Sequence, residues 1–194
     1  SGEMVLIHAV GSGVGTAGLQ LARTIGAVTI GTSRTREKLK RAKEMGLDEG
    51  VLVVGEESWA QQVADRLDGQ RVDVVLDLVG ATYLEGNLQI LASGARWMIV
   101  GVPSGSTGLV DLRQLMVRRA SLIGTVLRAR PPEEKAILAR EFERTVIPLF
   151  ASGHLTPVLD RVFPASDAAE AHRYVESNNT FGTIVLSWEG EGSK

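Results

Sequence analysis

The opening segment of the chain, residues 1–25, constrains the fold more than any other stretch. An apolar run from Met4 to Ala9 meets a glycine-rich turn at residues 11–15, and small and apolar residues at helical spacing follow over 16–23. A strand, a glycine turn and a helix in this order open a nucleotide-binding βαβ unit. Bare backbone can approach a pyrophosphate there, and the helix N-terminus offers N–H groups to it. The alternative is a plain β-to-α turn without a ligand.

The glycines of this turn allow two alignments with the dinucleotide-binding pattern. A literal G-x-G-x-x-G begins at Gly13, but this spacing alone is weak evidence in a glycine-rich loop. A tight turn directly after the strand makes the backbone of residues 12–14 face the pyrophosphate, and Gly15 or Gly18 then lets the helix pack closely on the sheet. We favour the second alignment. The loop it predicts consists of Gly11, Ser12, Gly13, Val14 and Gly15.

Strands and helices alternate along the first two-thirds of the chain. After the opening unit, apolar strands are predicted at 28–32, 51–54, 72–77, 95–101 and 121–127. Helices are predicted at 37–45, 58–67 (with Ser58 as N-cap), 83–91 and 112–118. Continuous apolar strands joined by helical crossovers form a parallel sheet that is covered on both faces. The predicted fold is α/β, a Rossmann-type doubly wound parallel sheet in the order 3-2-1-4-5-6, with the ligand at the carboxyl ends of strands 1 and 4.

The last third of the chain departs from this alternation. Two prolines followed by two glutamates at 131–134 predict the start of a long helix over 135–150. A strand over 155–159, a helix over 168–176 and a strand over 182–188 follow. The predicted divisions are a nucleotide-binding domain (1–130), a connecting helix (131–154), a segment of different architecture (155–188) and a disordered tail (189–194).

The end of the second strand indicates which dinucleotide the turn would bind. A site for NAD carries Asp or Glu about twenty residues after the glycine turn, where the carboxylate accepts hydrogen bonds from the ribose. Here Ser33, Arg34 and Lys38 stand at the strand end, and no carboxylate does. Arg can bind a 2′-phosphate through two N–H groups and Lys as a point charge, so NADP is the predicted cofactor. The alternative is a basic, solvated helix start, although cations there oppose the helix dipole.

Composition excludes several classes of function. The chain is 44% hydrophobic and 23% charged with a net charge of −2, so no basic excess indicates nucleic acid. No apolar run reaches the ~18 residues of a membrane helix, and a cytoplasmic protein is expected. The sequence has no cysteine, and its three histidines show no metal-ligand spacing. His8 is expected to be a hydrogen-bonded core residue, and Tyr83 and Tyr174 to be packing residues.

Six stretches of the sequence carry a family resemblance. One reads VLIHAVGSGVGTAGLQLA (5–22) and another VDVVLDLVG (72–80). The remaining four lie at 37–46, 155–164, 169–176 and 182–186. Together they resemble the zinc-independent medium-chain dehydrogenases/reductases, specifically the NADPH:quinone oxidoreductases of the zeta-crystallin type. The stretches follow one order over nearly the whole chain, so the resemblance is more specific than the glycine turn alone.

The resemblance implies two phosphate-binding groups. Residues 12–14 match the family's pyrophosphate loop. Ser33 and Lys38 match positions that hold the 2′-phosphate, with Arg34 beside them.

The resemblance also implies contacts with the rest of the dinucleotide. Val79 would lie by the adenosine, and Gly101 and Val102 would lie by the nicotinamide. Two positions depart from the family pattern. Val53 stands where a tyrosine commonly flanks the 2′-phosphate, and Thr183 stands where a lysine is common.

In this family a GroES-like catalytic domain of roughly one hundred residues or more precedes the cofactor-binding domain. The chain begins at strand 1 of the latter, so the resemblance implies that the catalytic domain is missing and that this fragment alone is inactive. Residues 155–188, here called the return segment, would complete the sheet of the missing domain. The strand between Ser121 and Leu127 would pair with its twofold mate in a homodimer.

The resemblance implies hydride transfer from NADPH to a quinone or a conjugated carbonyl, such as an enone, without zinc. No residue of this chain is predicted to be catalytic or to bind a metal. Three alternatives are a non-catalytic NADP-binding module, an enoyl-reductase domain of a larger synthase, and an S-adenosylmethionine-dependent methyltransferase. The methyltransferase is disfavoured because that class expects an acidic residue at the end of strand 2, where Ser33 and Arg34 stand.

Overall fold

The computed structural model describes residues 2–54 and 59–188 of the 194-residue chain. Two predictions, the N-cap at Ser58 and the disordered tail over 189–194, lie outside the described residues. The described part forms a six-stranded parallel sheet in the order β3-β2-β1-β4-β5-β6, so the predicted fold class and strand order are confirmed. The strands are β1 Met4–Ile7, β2 Val28–Ser33, β3 Glu49–Leu52, β4 Val72–Asp77, β5 Leu91–Ile99 and β6 Ser121–Gly124.

Helices cover both faces of this sheet. They are α1 Gly13–Thr24, α2 Arg36–Glu44, α3 Trp59–Arg66, α4 Leu84–Ile90 and α5 Leu112–Arg118. Leu19 of α1 and Ala42 of α2 belong to one buried apolar cluster. Val63 of α3 and Leu88 of α4 belong to a second cluster. Removing the larger of these side chains, those of Leu19, Val63 and Leu88, from water stabilises the fold by about 1.5–3 kcal/mol each. The double covering explains why the strands are largely apolar.

Several element boundaries differ from those predicted. The α1 helix begins at Gly13 rather than at residue 16, because the Ser12 side chain caps it. The β5 strand begins at Leu91, which was predicted to end a helix, and Leu91 is fully buried in the sheet. The β6 strand ends at Gly124, three residues before the predicted end.

The prediction of one long helix over 135–150 is wrong. Two helices occupy the region, α6 Pro132–Thr145 and α7 Ile147–Ala151, with a break at Val146. Pro148 has no N–H to continue the α6 ladder, and its ring would clash with the carbonyl four residues earlier if α6 ran on without a break. None of the helices in residues 2–54 and 59–188 combines the length and the apolarity needed to cross a bilayer.

The return segment forms a small α/β unit of its own. It contains β7 Leu159–Pro164, α8 Ala168–Glu176 and β8 Thr183–Ser187, and β7 pairs in parallel with β8. The strand predicted over 155–159 is wrong, since β7 begins where that prediction ended. Pro157 cannot donate to a ladder, and the nearby Leu155 side chain is buried rather than aligned on a sheet.

The return segment packs against the α1 and α2 side of the sheet. The Gln20 side chain of α1 donates to Thr156 O (3.0 Å) and accepts from Thr156 N (2.9 Å). Arg41 of α2 forms an ion pair with Asp160 at 3.1 Å. Phe181 is 2% exposed and joins the apolar cluster of α1. These contacts bring residues 178–183 over the glycine turn.

Candidate functional site

Parallel strands bring the sequence-predicted site residues to one edge of the sheet. Residues 11–15 follow β1, Arg34 follows β2, Val79 follows β4, and residues 101–102 follow β5. The carboxyl ends of neighbouring parallel strands lie at the same edge, where doubly wound sheets bind their ligands. The fold therefore collects residues that are far apart in the sequence around one surface.

The glycine turn presents the N-terminus of α1 at this edge. Ser12 is the N-cap, and its Oγ accepts from Gly15 N at 3.0 Å. Gly13 and Val14 are the first helical residues, and the first N–H groups of a helix have no acceptor within it. A Cβ on Gly15 would lie 2.5 Å from Ala9 O, so only glycine lets the helix start this close to β1. The turn can thus offer backbone N–H groups to an anion.

The return segment contacts the outer side of the same turn. Gly182 N donates to Gly11 O at 2.8 Å, and Gly182 forms a bridge with Ser12. A Cβ added at Gly13 would overlap the Thr183 hydroxyl. Glycine at position 13 therefore leaves room for the Thr183 side chain of the return segment, whatever ligand the turn binds. Sequence reasoning missed this constraint because the contacting residues are very far apart in the sequence.

The predicted 2′-phosphate residues have three different environments. Ser33 is 6% exposed, and its Oγ accepts from Thr35 N at 3.3 Å. Arg34 is exposed, and its guanidinium has no hydrogen bond or ion pair with any residue that the structure describes. Lys38 Nζ donates to Asn178 Oδ1 at 2.9 Å. Of the three side chains, Arg34 is the one most available to a ligand.

The charges at the end of β2 repel one another. Partial burial lowers the pKa of Lys38 below its ordinary value, and the Arg34 charge lowers it further, against the opposing attraction of Asp160. A bound anion would stabilise both cations, the exposed Arg34 and the half-buried Lys38. Val53, which replaces the family's tyrosine, follows β3 next to this strand end, and its N–H donates to Ser33 O at 2.8 Å.

A buried polar network lies beneath the site. His8 is fully buried, with Nδ1 at 3.0 Å from Thr32 Oγ1 and Nε2 at 2.8 Å from Asn87 Oδ1. Asn87 Nδ2 donates to Asp77 Oδ2 at 3.2 Å, and Trp97 Nε1 donates to the same oxygen at 3.0 Å. Burial lowers the pKa of His8 to about 4, so its ring is neutral near pH 7. His8 is a hydrogen-bonded core residue, as expected from its strand.

Asp77, the last residue of β4, connects the turn that follows β4 to the turn that follows β5. Asp77 Oδ1 accepts from Val79 N and Gly80 N, both at 2.9 Å. Asp77 O accepts from Gly101 N at 3.3 Å. Ser104 N and Oγ both donate to Val79 O, at 3.0 and 2.8 Å. Val79 and Gly101, predicted to contact opposite ends of a dinucleotide, therefore belong to one hydrogen-bonded unit.

The tyrosines pack within the fold, as predicted. Tyr83 contacts the rings of His8 and Trp59, with centroids 4.6 and 4.9 Å apart, and burial raises its pKa. Tyr174 OH donates to Asp160 Oδ2 at 2.8 Å, and this hydrogen bond raises the pKa of Tyr174. In the two described ranges, no group of three or more His, Cys, Asp or Glu could hold a metal ion.

Comparisons with known proteins show the family to which the chain belongs. Residues 13–144 match the family model described as zinc-binding dehydrogenase. The chain is 30% identical over 189 residues to a quinone oxidoreductase from Sus scrofa, with coverage of 96% of this chain and 55% of that protein. The chain thus spans about half the length of the quinone oxidoreductases that it matches.

Two further matches are a solved structure and a polypeptide that is much longer than this chain. A mycobacterial protein solved as its NADPH complex superposes with a TM-score of 0.80 at 32% identity, covering 95% of this chain and 56% of that one. A phenolphthiocerol/phthiocerol polyketide synthase polypeptide from Mycobacterium tuberculosis is 31% identical over 202 aligned positions, which cover 99% of this chain and 9% of that protein. The resemblance to quinone oxidoreductases that the sequence stretches predict is confirmed.

Proposed function

Because the chain belongs to the zinc-binding dehydrogenase family, we propose that it is the NADP-binding part of an oxidoreductase that transfers hydride to a quinone or a conjugated carbonyl. The observation that carries the choice of NADP is the end of β2. Arg34 is exposed there without a partner among the described residues, and Lys38 lies beside it in an environment that lowers its pKa. No carboxylate follows β2 at the position where an NAD site places one.

The glycine turn fits the pyrophosphate of such a cofactor. Its helix begins at Gly13, and Val14 is half exposed, so the first N–H groups of α1 lie near the surface. The positive end of the α1 dipole adds to the attraction of an anion. In this proposal Gly11 and Gly15 shape the turn, and the backbone of residues 12–14 binds the pyrophosphate.

The cations at the end of β2 fit a 2′-phosphate. Arg34 can donate two parallel N–H groups to it, and Lys38 can add a third donor, because an ammonium has three N–H bonds and Asn178 occupies one. Ser33 is mostly buried, so its part is to hold the start of the β2 turn through Thr35 N. Bound phosphate would relieve the repulsion between Arg34 and Lys38.

The chemistry that the bound dinucleotide supplies is a hydride at its nicotinamide ring. In this proposal Val79 lies by the adenosine, Gly101 and Val102 bound the nicotinamide half of the site, and the chain's own residues bind and orient without transferring a proton. We propose that the substrate-contacting residues belong to a catalytic domain in the remainder of a longer protein. The reaction then needs no zinc held by this chain.

An apolar groove supports a contact with such a domain. A cavity of about 360 Å³ lies between α1, the α6–α7 break and the return segment. Phe142 and Phe150 line it and are 46% and 38% exposed. We propose that residues 1–130 form the cofactor-binding domain, 131–154 the connection, and 155–188 the portion that completes the catalytic domain.

The free edge of β6 supports a homodimer. β6 is the last strand of the sheet, and all four of its residues are exposed, among them Leu122 and Ile123. An exposed apolar edge strand is a template for pairing with another strand. We propose that two copies pair between Ser121 and Leu127. Light scattering of wild-type protein and of Ile123→Lys would report a dimer and a monomer, and a monomeric wild type would contradict the pairing.

A second candidate is the enoyl-reductase domain of a larger synthase. It is favoured by the polyketide synthase match, which covers 99% of this chain but only 9% of that protein. Both candidates use the same cofactor site and differ in the acceptor. The full-length protein, supplied with NADPH, would reduce a soluble quinone in the first case and an enoyl thioester in the second. The loss of the absorbance of the reduced nicotinamide ring, as NADPH is oxidised, measures either reaction.

Calorimetric titration of the chain with NADPH and, separately, with NADH tests the cofactor site. We expect tight binding of NADPH and weaker binding of NADH, since only NADPH carries the 2′-phosphate. A circular dichroism melt of the same sample confirms that it is folded. Folded protein that binds neither dinucleotide, or both equally, would contradict the proposed NADP site.

A further inference from the structure

We propose that Asp77 is a positioning residue of the dinucleotide site. Its carboxylate holds the turn at residues 78–80 in the conformation that the cofactor meets. The inference rests on the proposed cofactor site but assigns a role to a residue outside it. Asp77 is fully buried, so it cannot touch a ligand, and its effect must pass through the backbone that it binds.

One oxygen of the carboxylate fixes the turn. Oδ1 accepts from two successive backbone groups, Val79 N and Gly80 N, both at 2.9 Å. Gly80 has φ +94° and ψ −134°, a conformation that L side chains rarely adopt, and a Cβ there would lie 2.8 Å from Val102 Cα. The turn after β4 is therefore unusual in shape and in close contact with the turn after β5. Two convergent N–H bonds to one fixed oxygen hold that shape.

The other oxygen fixes the carboxylate itself. Oδ2 accepts from Trp97 Nε1 at 3.0 Å and from Asn87 Nδ2 at 3.2 Å. Because the Asn87 amide nitrogen donates to Asp77, its Oδ1 must accept, and His8 Nε2 carries the proton between them. His8 Nδ1 then accepts from the Thr32 hydroxyl. This network joins the residue after β1 to β2, α4, β4 and β5, and it gives Oδ2 two donors of its own.

The donors around Asp77 are unusual for a buried carboxylate. All four are N–H groups of neutral residues, and no cation pairs with Asp77 in the part of the chain that the structure describes. A buried carboxylate is costly unless its oxygens are fully hydrogen-bonded. Two of its four bonds go to the backbone of the site turn. The arrangement therefore links the core of the sheet to the surface that would contact the dinucleotide.

Loss of this carboxylate has a specific expected signature. The turn contributes Val79 and contacts Val102, whereas Arg34 and Lys38 follow β2, which β1 separates from β4 in the sheet. A loosened turn would weaken NADPH and NADH by the same factor, about tenfold for a loss near 1.4 kcal/mol. The ratio of the two affinities would stay at its wild-type value.

The test compares Asp77→Asn with Asp73→Asn. Asparagine keeps the shape of Asp77, but its NH2 group cannot accept, so two of the four donors lose their acceptor. Asp73 is a matched control on the same strand, because its Oδ2 also accepts from a backbone group, Met4 N at 2.9 Å, at the opposite edge of the sheet. Affinities for both dinucleotides are measured by calorimetry, and hydrogen exchange is measured at the Val79 and Gly80 amides.

We expect Asp77→Asn to lower both affinities about tenfold with an unchanged ratio, and to accelerate exchange at Val79 and Gly80. Asp73→Asn should leave both affinities within about twofold, well below that effect. Folded Asp77→Asn that binds like the wild type overturns the inference, as does a loss confined to NADPH. If wild-type protein binds neither dinucleotide, the proposed function itself fails. If Asp77→Asn does not fold, amide hydrogen exchange of the wild-type protein provides the test. Rapid exchange at Val79 and Gly80 would overturn the role of Asp77.

Discussion

The carboxyl edge of the sheet is built in two different ways. The turns after β4 and β5 are fixed by the fully buried Asp77, which is linked to Trp97 and His8 in the core. The end of β2 instead presents exposed Arg34, and Lys38 tied to a single amide oxygen of the return segment. The first region is expected to hold its shape without a ligand. The second depends on charge and should respond to salt, pH and the 2′-phosphate.

The largest expected effect is on the buried region. Trp97→Ala removes a fully buried indole and one donor to Asp77 Oδ2. We expect the free energy of unfolding to fall by about 3–5 kcal/mol, as for other large-to-small core substitutions. Urea titration measures the loss. Arg34→Ala, at the exposed end of β2, is the control and should change stability by less than about 0.5 kcal/mol. Similar losses of unfolding free energy in the two variants would contradict the difference between the buried region and the end of β2.

The second prediction concerns pH. Burial lowers the pKa of His8 to about 4 in the folded chain, from 6.5 in the unfolded chain. Between these values the unfolded state binds the extra proton, so the free energy of unfolding should fall as the pH drops from 6.5 to 4. The full loss is on the order of 3 kcal/mol. His8→Gln, which cannot gain a proton, should lack this part of the pH dependence. Identical pH profiles for the two proteins would contradict the assignment.

The third prediction is confined to the exposed region. Arg34→Ala and Lys38→Ala should each lower the affinity for NADPH by about 1–3 kcal/mol, because each loses a charge-assisted hydrogen bond. The affinity for NADH should stay near the wild-type value. Lys40→Ala removes an exposed cation from the same helix as a control. An unchanged ratio of the two affinities in both variants would place the 2′-phosphate elsewhere.

The smallest expected effect is that of salt. Raising the ionic strength from 0.01 to 0.15 M shortens the Debye length from about 30 to about 8 Å, which screens partly exposed charges. NADPH should therefore weaken more than NADH over this range. The difference should be smaller in Arg34→Ala, since one screened cation is gone. Calorimetry at the two salt concentrations measures it, and equal salt dependence for both dinucleotides would count against a 2′-phosphate contact.

Local patterns predicted the sheet well and the return segment poorly. The β4 strand and the α5 helix match their predicted bounds, because apolar runs and helical spacing act within a few neighbouring residues. The break at Val146 escaped the prediction, although Pro148 offered a local signal that could have revealed it. The start of β7 was missed for a similar reason, with Pro157 just before it.

The candidate site, too, was predictable where local patterns determine it and not where distant contacts do. Strand ends and residue types were enough to predict which residues share the carboxyl edge. Contacts over long sequence separations were not predictable, among them Lys38 with Asn178 and Gly13 with Thr183. The Asp77 carboxylate appeared in the sequence only as the last residue of an apolar strand. Its four donors come from backbone and side chains that only the folded sheet brings together.

The most direct test of the account is amide chemical-shift mapping of the chain during titration with NADPH. The account predicts the largest changes at residues 12–14, Arg34, Val79 and residues 101–102, all at the carboxyl edge. With NADH, the changes at Arg34 should be much smaller. Changes centred on the groove between α1 and the α6–α7 break, with the carboxyl edge unaffected, would contradict it.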